Sequence, residues 1–184
     1  VKADNGHVDF QTDALGLCRA NLWLRTADRV WLRLGTFPAT TFEELFEGTR
    51  SLPWSDFLTA DAHFPVDGAS YQSELSSVPA CQSVTKKAIV EHLKAAHKVE
   101  WFPENGPDFP IKVSVIKDQA TLAIDTSGHG LHKRGYRLLT TGAPMRETLA
   151  AGLILLSYWG PERVLLDPFC GSGTIPIEAA MIGT

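Results

Sequence analysis

Gly171-Ser172-Gly173-Thr174 follows an apolar run, Val164-Leu165-Leu166, that ends in Asp167, and it precedes a helix-like run from Ile175 to Ala180. That order reads as a strand, a tight loop and a helix N-terminus, the usual cradle for a nucleoside-bearing cofactor. Gly171 and Gly173 lack Cβ, so they can take dihedrals closed to other residues and let a ligand approach the backbone. A helix starting near Thr174 presents unpaired N–H groups and the positive end of its dipole, which favour a carboxylate or phosphate. Asp167, at the end of the apolar run, can accept a hydrogen bond from a ligand amine or hydroxyl.

Three ligands compete for such a loop. A nucleotide P-loop needs a Gly-Lys-Ser/Thr step, and the loop holds no lysine. A dinucleotide fingerprint needs a third glycine where Pro176 stands. S-adenosylmethionine needs one close backbone approach and no pyrophosphate site, so a shorter loop suffices. The bland alternative is an ordinary strand-to-helix turn.

A second constellation is cationic. His129, His132, Lys133, Arg134 and Arg137 lie within nine residues that contain no acid. They can hold RNA phosphates, Arg134 and Arg137 by bidentate contacts. Equally, the stretch can be a solvated linker whose two arginines pin the two domains together. Lys86 and Lys87 read as the wet face of a helix. Arg19, Arg25, Arg29 and Arg33 bias the N-terminal part positively, and Glu43, Glu44 and Glu47 follow soon after. The five tryptophans suit a base-stacking platform or, more commonly, a core. Cys170 stands just before a helix N-terminus, where thiol pKa falls. No base accompanies it, so it reads as a small buried packing residue. No histidine shows metal-ligand spacing, and no metal is expected.

Bulk properties set the frame. Apolar residues make up 44% and charged residues 21% of the 184, as in an ordinary globular protein. No apolar run approaches the roughly 20 residues of a membrane span. No signal-peptide pattern opens the chain. Three scattered cysteines fit reduced thiols in a cytoplasm. The net charge of −4 gives no bulk support for nucleic-acid binding, so any such site must be local. The chain opens on Val1 and stops just after the loop-bearing helix, which reads as a fragment of a longer protein.

The periodicities supply the positioning elements. Asp13 to Arg25 reads as a helix with Leu15, Cys18 and Leu22 on one face. Arg29 to Thr36 alternates as a strand. Thr41 and Glu44 form a capping box for a helix to about Gly48. Phe64 to Val66 reads as a short strand. Pro79 starts a long helix to about Ala96, with Cys81, Val84, Ala88 and Leu93 as its apolar stripe. Residues 111–115 and 120–124 alternate as a β-hairpin. The glycine-rich stretch 128–142 marks a boundary. Pro144 opens an apolar helix to about Trp159 carrying Met145, Leu149, Leu153 and Leu156.

Asp167-Pro168-Phe169-Cys170-Gly171-Ser172-Gly173-Thr174-Ile175-Pro176-Ile177-Glu178-Ala179-Ala180 closely resembles the first cofactor-binding motif of the THUMP-containing RNA methyltransferases. That group includes the bacterial rRNA guanine-N2 type, often labelled N6-adenine DNA methylases. Leu131-His132-Lys133-Arg134-Gly135-Tyr136-Arg137 resembles the family's linker motif. Ala143-Pro144-Met145-Arg146-Glu147-Thr148-Leu149-Ala150-Ala151 resembles the helix beside its cofactor site. Leu24 to Val30 and Thr41 to Phe46 resemble its N-terminal half.

The resemblance implies an α/β chain. Residues 1–127 would hold a ferredoxin-like remnant plus an α+β THUMP module that binds RNA. Residues 128–142 would be a linker, and 143–184 the truncated start of a Rossmann-like methyltransferase domain. Asp167, Gly171, Gly173 and Thr174 would line an S-adenosylmethionine site. His132, Lys133, Arg134 and Arg137 would be RNA-facing candidates. The implied activity is methylation of a guanine N2 amino group in rRNA rather than tRNA, in the cytoplasm. A DNA adenine-N6 methyltransferase and a non-enzymatic RNA-binding module are the alternatives. The family's Asn/Asp-Pro-Pro-Tyr/Leu motif, and the acid expected about 20 residues past the loop, do not occur in this chain. The chain alone is therefore expected neither to methylate RNA nor to bind the cofactor tightly. Exposed apolar faces of the truncated domain would favour self-association.

Overall fold

The computed structural model describes residues 1–4, 6–99, 101–137 and 144–184, apart from the side chain of Asp4. The last five residues of the expected linker, 138–142, lie outside the described residues, as does Ala143. The chain divides into two compact units, Val1–Val30 with His129–Thr184, and Trp31–Gly128.

The first unit begins with a hairpin of β1 (Lys2–Asp4) and β2 (His7–Asp9), paired antiparallel. α1 (Ala14–Trp23) follows, and the Asp13 side chain caps it by accepting from the Gly16 N–H at 2.7 Å. Its expected apolar stripe is not a core face, because Leu15, Cys18 and Leu22 are exposed.

The second unit is an α/β sandwich of one sheet and two helices. β3 (Trp31–Pro38) starts two residues later than its alternation predicts, and a register shift falls between Arg33 and Gly35. α2 (Phe42–Arg50) carries the complete capping box. The Glu44 N–H donates to Thr41 Oγ1, and the Glu44 carboxylate accepts from the Thr41 N–H. The Thr40 N–H and hydroxyl, with the Thr41 N–H, hold the Glu44 carboxyl below its usual range. β4 is Val66–Tyr71 rather than Phe64–Val66, because Phe64 is wholly buried as a core residue before the strand begins. α3 (Val78–His97) has its proline in the first turn and buries Cys81, Thr85, Ala88, Ile89 and Leu93. β5 (Ile111–Ile116) and β6 (Gln119–Asp125) form the expected hairpin.

The sheet order is β3-β6-β5-β4, with only β4 and β5 parallel. A parallel pair needs a crossover, and α3 supplies it. Ile111, Val113, Val115, Leu122 and Ile124 alternate inward and meet Leu45, Trp54, Ile89 and Leu93 in one core. Trp54 is entirely buried and donates its indole N–H to the Thr49 carbonyl at 2.7 Å, so its polar atom is satisfied.

α4 (Glu147–Leu156) and α5 (Thr174–Gly183) complete the first unit. α4 is shorter than the expected Pro144–Trp159, because Arg146 is an extended N-cap residue and Ser157 an extended C-cap. Its packed side is the small one, Thr148, Ala150, Ala151 and Ile154, whereas Met145, Leu149, Leu153 and Leu156 are exposed. The expected strand over Val164–Leu166 does not form. A strand exists through its hydrogen-bonded neighbours, and no described segment pairs with this one, leaving Leu166 84% exposed.

Candidate cofactor loop and the charges that hold it

The loop between Asp167 and Thr174 has the backbone its glycines permit. Gly171 (φ +54°) and Gly173 (φ +74°) both occupy the left-handed region. A side chain at Gly173 would be strained by that dihedral even though space exists, the nearest heavy atom lying 3.7 Å from the would-be Cβ. The Gly173 N–H closes a turn onto the Cys170 carbonyl at 2.8 Å, and the Gly173 carbonyl accepts from the Ile177 N–H at 3.0 Å. α5 therefore begins directly at the loop, aiming its unpaired N–H groups there.

Asp167 stands before the turn, half-buried, and its Oδ1 accepts from the Phe169 N–H at 3.2 Å. That leaves carboxylate capacity for a further donor. Phe169 is 93% exposed. Cys170 is exposed, which corrects the expectation of a buried packing residue. It is the first residue of the turn that the Gly173 N–H closes, outside any packed face.

Thr174 differs from the other loop candidates. It is 3% exposed, and its Oγ1 accepts from Arg137 Nη2 at 2.7 Å. Ser172, which the sequence did not single out, lies beside it with its Oγ 3.2 Å from Thr174 Oγ1. A hydroxyl between two glycines carries no sequence signal that separates a ligand contact from a turn residue.

Behind the loop lies a buried charge network. Glu178, one turn into α5, is completely buried. Its Oε1 accepts from Arg134 Nε at 2.8 Å and from the Tyr136 hydroxyl at 3.1 Å. Arg25 Nη1 lies 3.9 Å from its Oε2, while Arg25 Nη2 donates to the Met181 carbonyl at 3.1 Å. Arg134 also donates to the carbonyls of Leu131 (3.1 Å) and Arg25 (2.6 Å). Arg137 pairs with Glu147 Oε1 at 3.2 Å and donates to the Met145 carbonyl at 3.2 Å. Asp28 joins the frame by accepting from Thr148 Oγ1 at 2.8 Å. Burial, with Glu178 beside it, pushes the Tyr136 hydroxyl up to about 12.

This geometry places the cationic constellation. Arg134 and Arg137 turn inward and are spent on carboxylates and carbonyls within the unit. His132 is half-buried, its Nδ1 3.8 Å from Asp28 Oδ1. Lys133 and His129 are exposed. The donors around the loop are backbone N–H groups and hydroxyls backed by an arginine, and one carboxylate, Asp167, precedes the turn. That set fits a small zwitterionic group such as an amino-acid moiety, and it contains no lysine to hold a triphosphate. Among the described residues no cluster could ligate a metal, and no helix is long and apolar enough to cross a membrane.

Comparison with known proteins follows these divisions. Residues 1–31 match the RlmL ferredoxin-like domain, 39–125 the THUMP domain, and 134–184 the RMKL-like methyltransferase domain. "Putative RNA methyltransferase YpsC" of Bacillus subtilis (strain 168) is 54% identical over 184 residues, covering 99% of this chain and 48% of its own length. A crystal structure of "a predicted N6-adenine-specific DNA methylase" from Listeria monocytogenes str. 4b F2365 is 56% identical. It superimposes with a TM-score of 0.90 over 94% of this chain and 46% of that one. SMU.472, "a putative methyltransferase complexed with SAH", is 50% identical with a TM-score of 0.84, over 90% of this chain and 44% of that one. TrmN from Thermus thermophilus, 22% identical, shares the fold with a TM-score of 0.72. The chain thus spans about half the length of the relatives it matches.

Proposed function

Because the chain belongs to the THUMP-containing, RMKL-like methyltransferase family, we propose that the whole protein moves a methyl group from S-adenosylmethionine to a guanine N2 amino group of large-subunit rRNA. The observation that carries the reading is the turn at Gly171 and Gly173. Both glycines take left-handed dihedrals at the start of α5, in the segment that matches the methyltransferase domain. A relative of half-identical sequence holds S-adenosylhomocysteine, the product form of that donor.

The donor, when bound, supplies an activated methyl on a sulfonium. The residues of this chain bind and orient it. Asp167 accepts from a donor amine or hydroxyl, and the first turn of α5 offers N–H groups to its carboxylate. Gly171 and Gly173 keep Cβ atoms out of its path. Arg134, Arg25 and Tyr136 fix α5 through Glu178, so the loop does not have to reorganise on binding. Catalysis by direct displacement draws most of its rate from such positioning. The THUMP unit would deliver RNA by shape and backbone contact, with Lys133 and His132, in the loop-bearing unit, as candidate phosphate partners. This reading puts the protein in the cytoplasm, with rRNA preferred to tRNA.

DNA adenine-N6 methylation is the second reading, favoured by the name of the Listeria relative. The THUMP match weighs against it. The chain on its own could serve only as an RNA-binding module. A single assay separates the three. The natural-length protein is incubated with methyl-labelled donor and either unmodified rRNA or duplex DNA, and the digested nucleosides are resolved by mass spectrometry. Label in N2-methylguanosine supports the proposal. Label in N6-methyladenine of DNA supports the second reading, and RNA binding without label supports the third.

A further inference from the structure

We propose that the open face of the β3-β6-β5-β4 sheet is a platform for unpaired RNA, on which Trp31 and Tyr71 stack bases and Arg33 and Lys112 meet phosphates. The platform deepens the RNA half of the function proposed above, on which it rests, by naming the face and the form of the strand.

Within the second unit both helices lie on one face of the sheet. Leu45 of α2 and Ile89 and Leu93 of α3 share a core with Val113, Val115 and Leu122. A Cβ at Gly68 would lie 3.1 Å from the Val78 side chain of α3, so Gly68 faces the helices. Asp67, Ala69 and Tyr71 therefore face the other way, because successive strand residues alternate. The register carries that open face across all four strands. One row is Arg33, Ala123, Lys112 and Asp67, and the next is Thr36, Thr121, Ser114 and Ala69. The second row makes a flat floor of small side chains, with Thr36 Oγ1 3.1 Å from Thr121 Oγ1. Trp31 stands at the Asp125 end of the face, and Tyr71, 63% exposed, at the Gln119 end. They are about 20 Å apart along the strands and about 14 Å across them. Lys112 Nζ sits 5.4 Å from the centre of the Trp31 ring, so an ammonium and an aromatic face are presented together.

Single-stranded nucleic acid is held by aromatic side chains that stack its bases and by cations that track its backbone. RNA offers bases for such stacking where they are unpaired and can splay out. Arg33 and Lys112 stand against one exposed carboxylate, Asp67, whose Oδ1 already accepts the Gly68 N–H at 2.8 Å. A protein partner would need a large anchor near the centre of the patch, and the centre here is threonine, serine and alanine. The helical side of the unit is the poorer choice. Its shallow groove is lined by Phe42, Phe46, Val84 and Lys87, but Glu43 lines it too, and Glu44 and Glu47 are exposed on the same helix. Those acids repel phosphate.

The test uses the natural-length protein and two probes, an unpaired ribo-oligonucleotide of about eight residues and a hairpin of the same composition. Affinity is read by fluorescence anisotropy over a range of salt concentrations. The unpaired probe should bind more tightly than the hairpin. Tyr71→Ala, at an exposed position, should weaken that binding about tenfold. Trp31→Leu should cost as much, and if this half-buried change impairs folding, Tyr71→Ala carries the test alone. Lys112→Gln should lower the salt slope by about 0.7, whereas Lys87→Gln, on the helical side, should change neither slope nor affinity. Binding of neither probe, a hairpin bound as tightly as the unpaired strand, or unchanged affinity in Tyr71→Ala overturns the platform. So does a slope that falls with Lys87→Gln instead of Lys112→Gln. Each of these leaves the methyltransferase reading standing, because label in N2-methylguanosine is measured separately. Absence of that label, with the expected binding pattern intact, overturns the methyltransferase reading and spares the platform.

Discussion

Replacing Arg134 with Met should loosen α5 far more than the loss of one surface charge would. Glu178 is completely buried, and Arg134 supplies its shortest contact, 2.8 Å from Nε. The Arg134 side chain is itself only 10% exposed. Removing one partner of a buried pair leaves an uncompensated charge and costs about 3–5 kcal/mol. The Tyr136 hydroxyl at 3.1 Å and Arg25 at 3.9 Å remain, so the lower end, about 3 kcal/mol, is expected. That corresponds to roughly a hundredfold in a local opening equilibrium. Two compact units make a single unfolding midpoint ambiguous, so native-state hydrogen exchange is the suitable assay. Amides from Ile177 to Ala180 should exchange about a hundredfold faster in Arg134→Met, and those of β5 and β6 should not change. The double variant Arg134→Met/Glu178→Leu should recover most of the protection, because two apolar groups of similar volume leave no stranded charge. Acceleration below about threefold, or a double variant looser than either single one, would refute the account of Glu178 as a buried anchor.

Further outcomes follow from single residues. Thr41→Ala removes the cap from α2 and should destabilise the second unit by about 1 kcal/mol, read as faster exchange of the Leu45 amide. Tyr136 titrates near 10 when unfolded and near 12 in place. Its contribution to stability should be complete below pH 10 and disappear as pH rises through 12. Tyr136→Phe should remove that alkaline limb from a stability profile of the first unit, and a limb that persists would count against the placement. Lys133 is exposed, so Lys133→Ala should lower the salt slope of RNA binding by about 0.7–0.9. An unchanged slope would remove it from the RNA contacts.

The second unit was the more legible in sequence. Strict alternation over 111–115 and 120–124 fixes a hairpin, Thr41 with Glu44 fixes a cap, and Pro79 fixes a helix start. Each signal is local and needs no distant partner to be true. The misses were non-local. Val164–Leu166 has the composition of a strand, but pairing makes a strand, and none of the described residues pairs with it. Leu149 and Leu153 read as a core stripe because periodicity reports a face without saying which face is covered, and the alanines opposite are the buried ones. Gly171 and Gly173 were legible because φ beyond zero leaves few other residues. Glu178 was illegible. Nothing in Ile177-Glu178-Ala179-Ala180 distinguishes a wet helical acid from a buried one, and its partners Arg25 and Arg134 stand 153 and 44 residues away in sequence. Arg134 and Arg137 left two readings open in sequence, and their depth and carboxylate partners decide what their guanidinium groups touch.

The most direct test of the central claim is equilibrium binding of S-adenosylmethionine to the natural-length protein, unsubstituted and as Gly173→Val. A β-branched residue at φ +74° is strained whatever space surrounds it. The account predicts saturable binding that Gly173→Val abolishes while RNA binding by the THUMP unit persists. Failure of the unsubstituted protein to bind the donor, or equal binding by Gly173→Val, would contradict it.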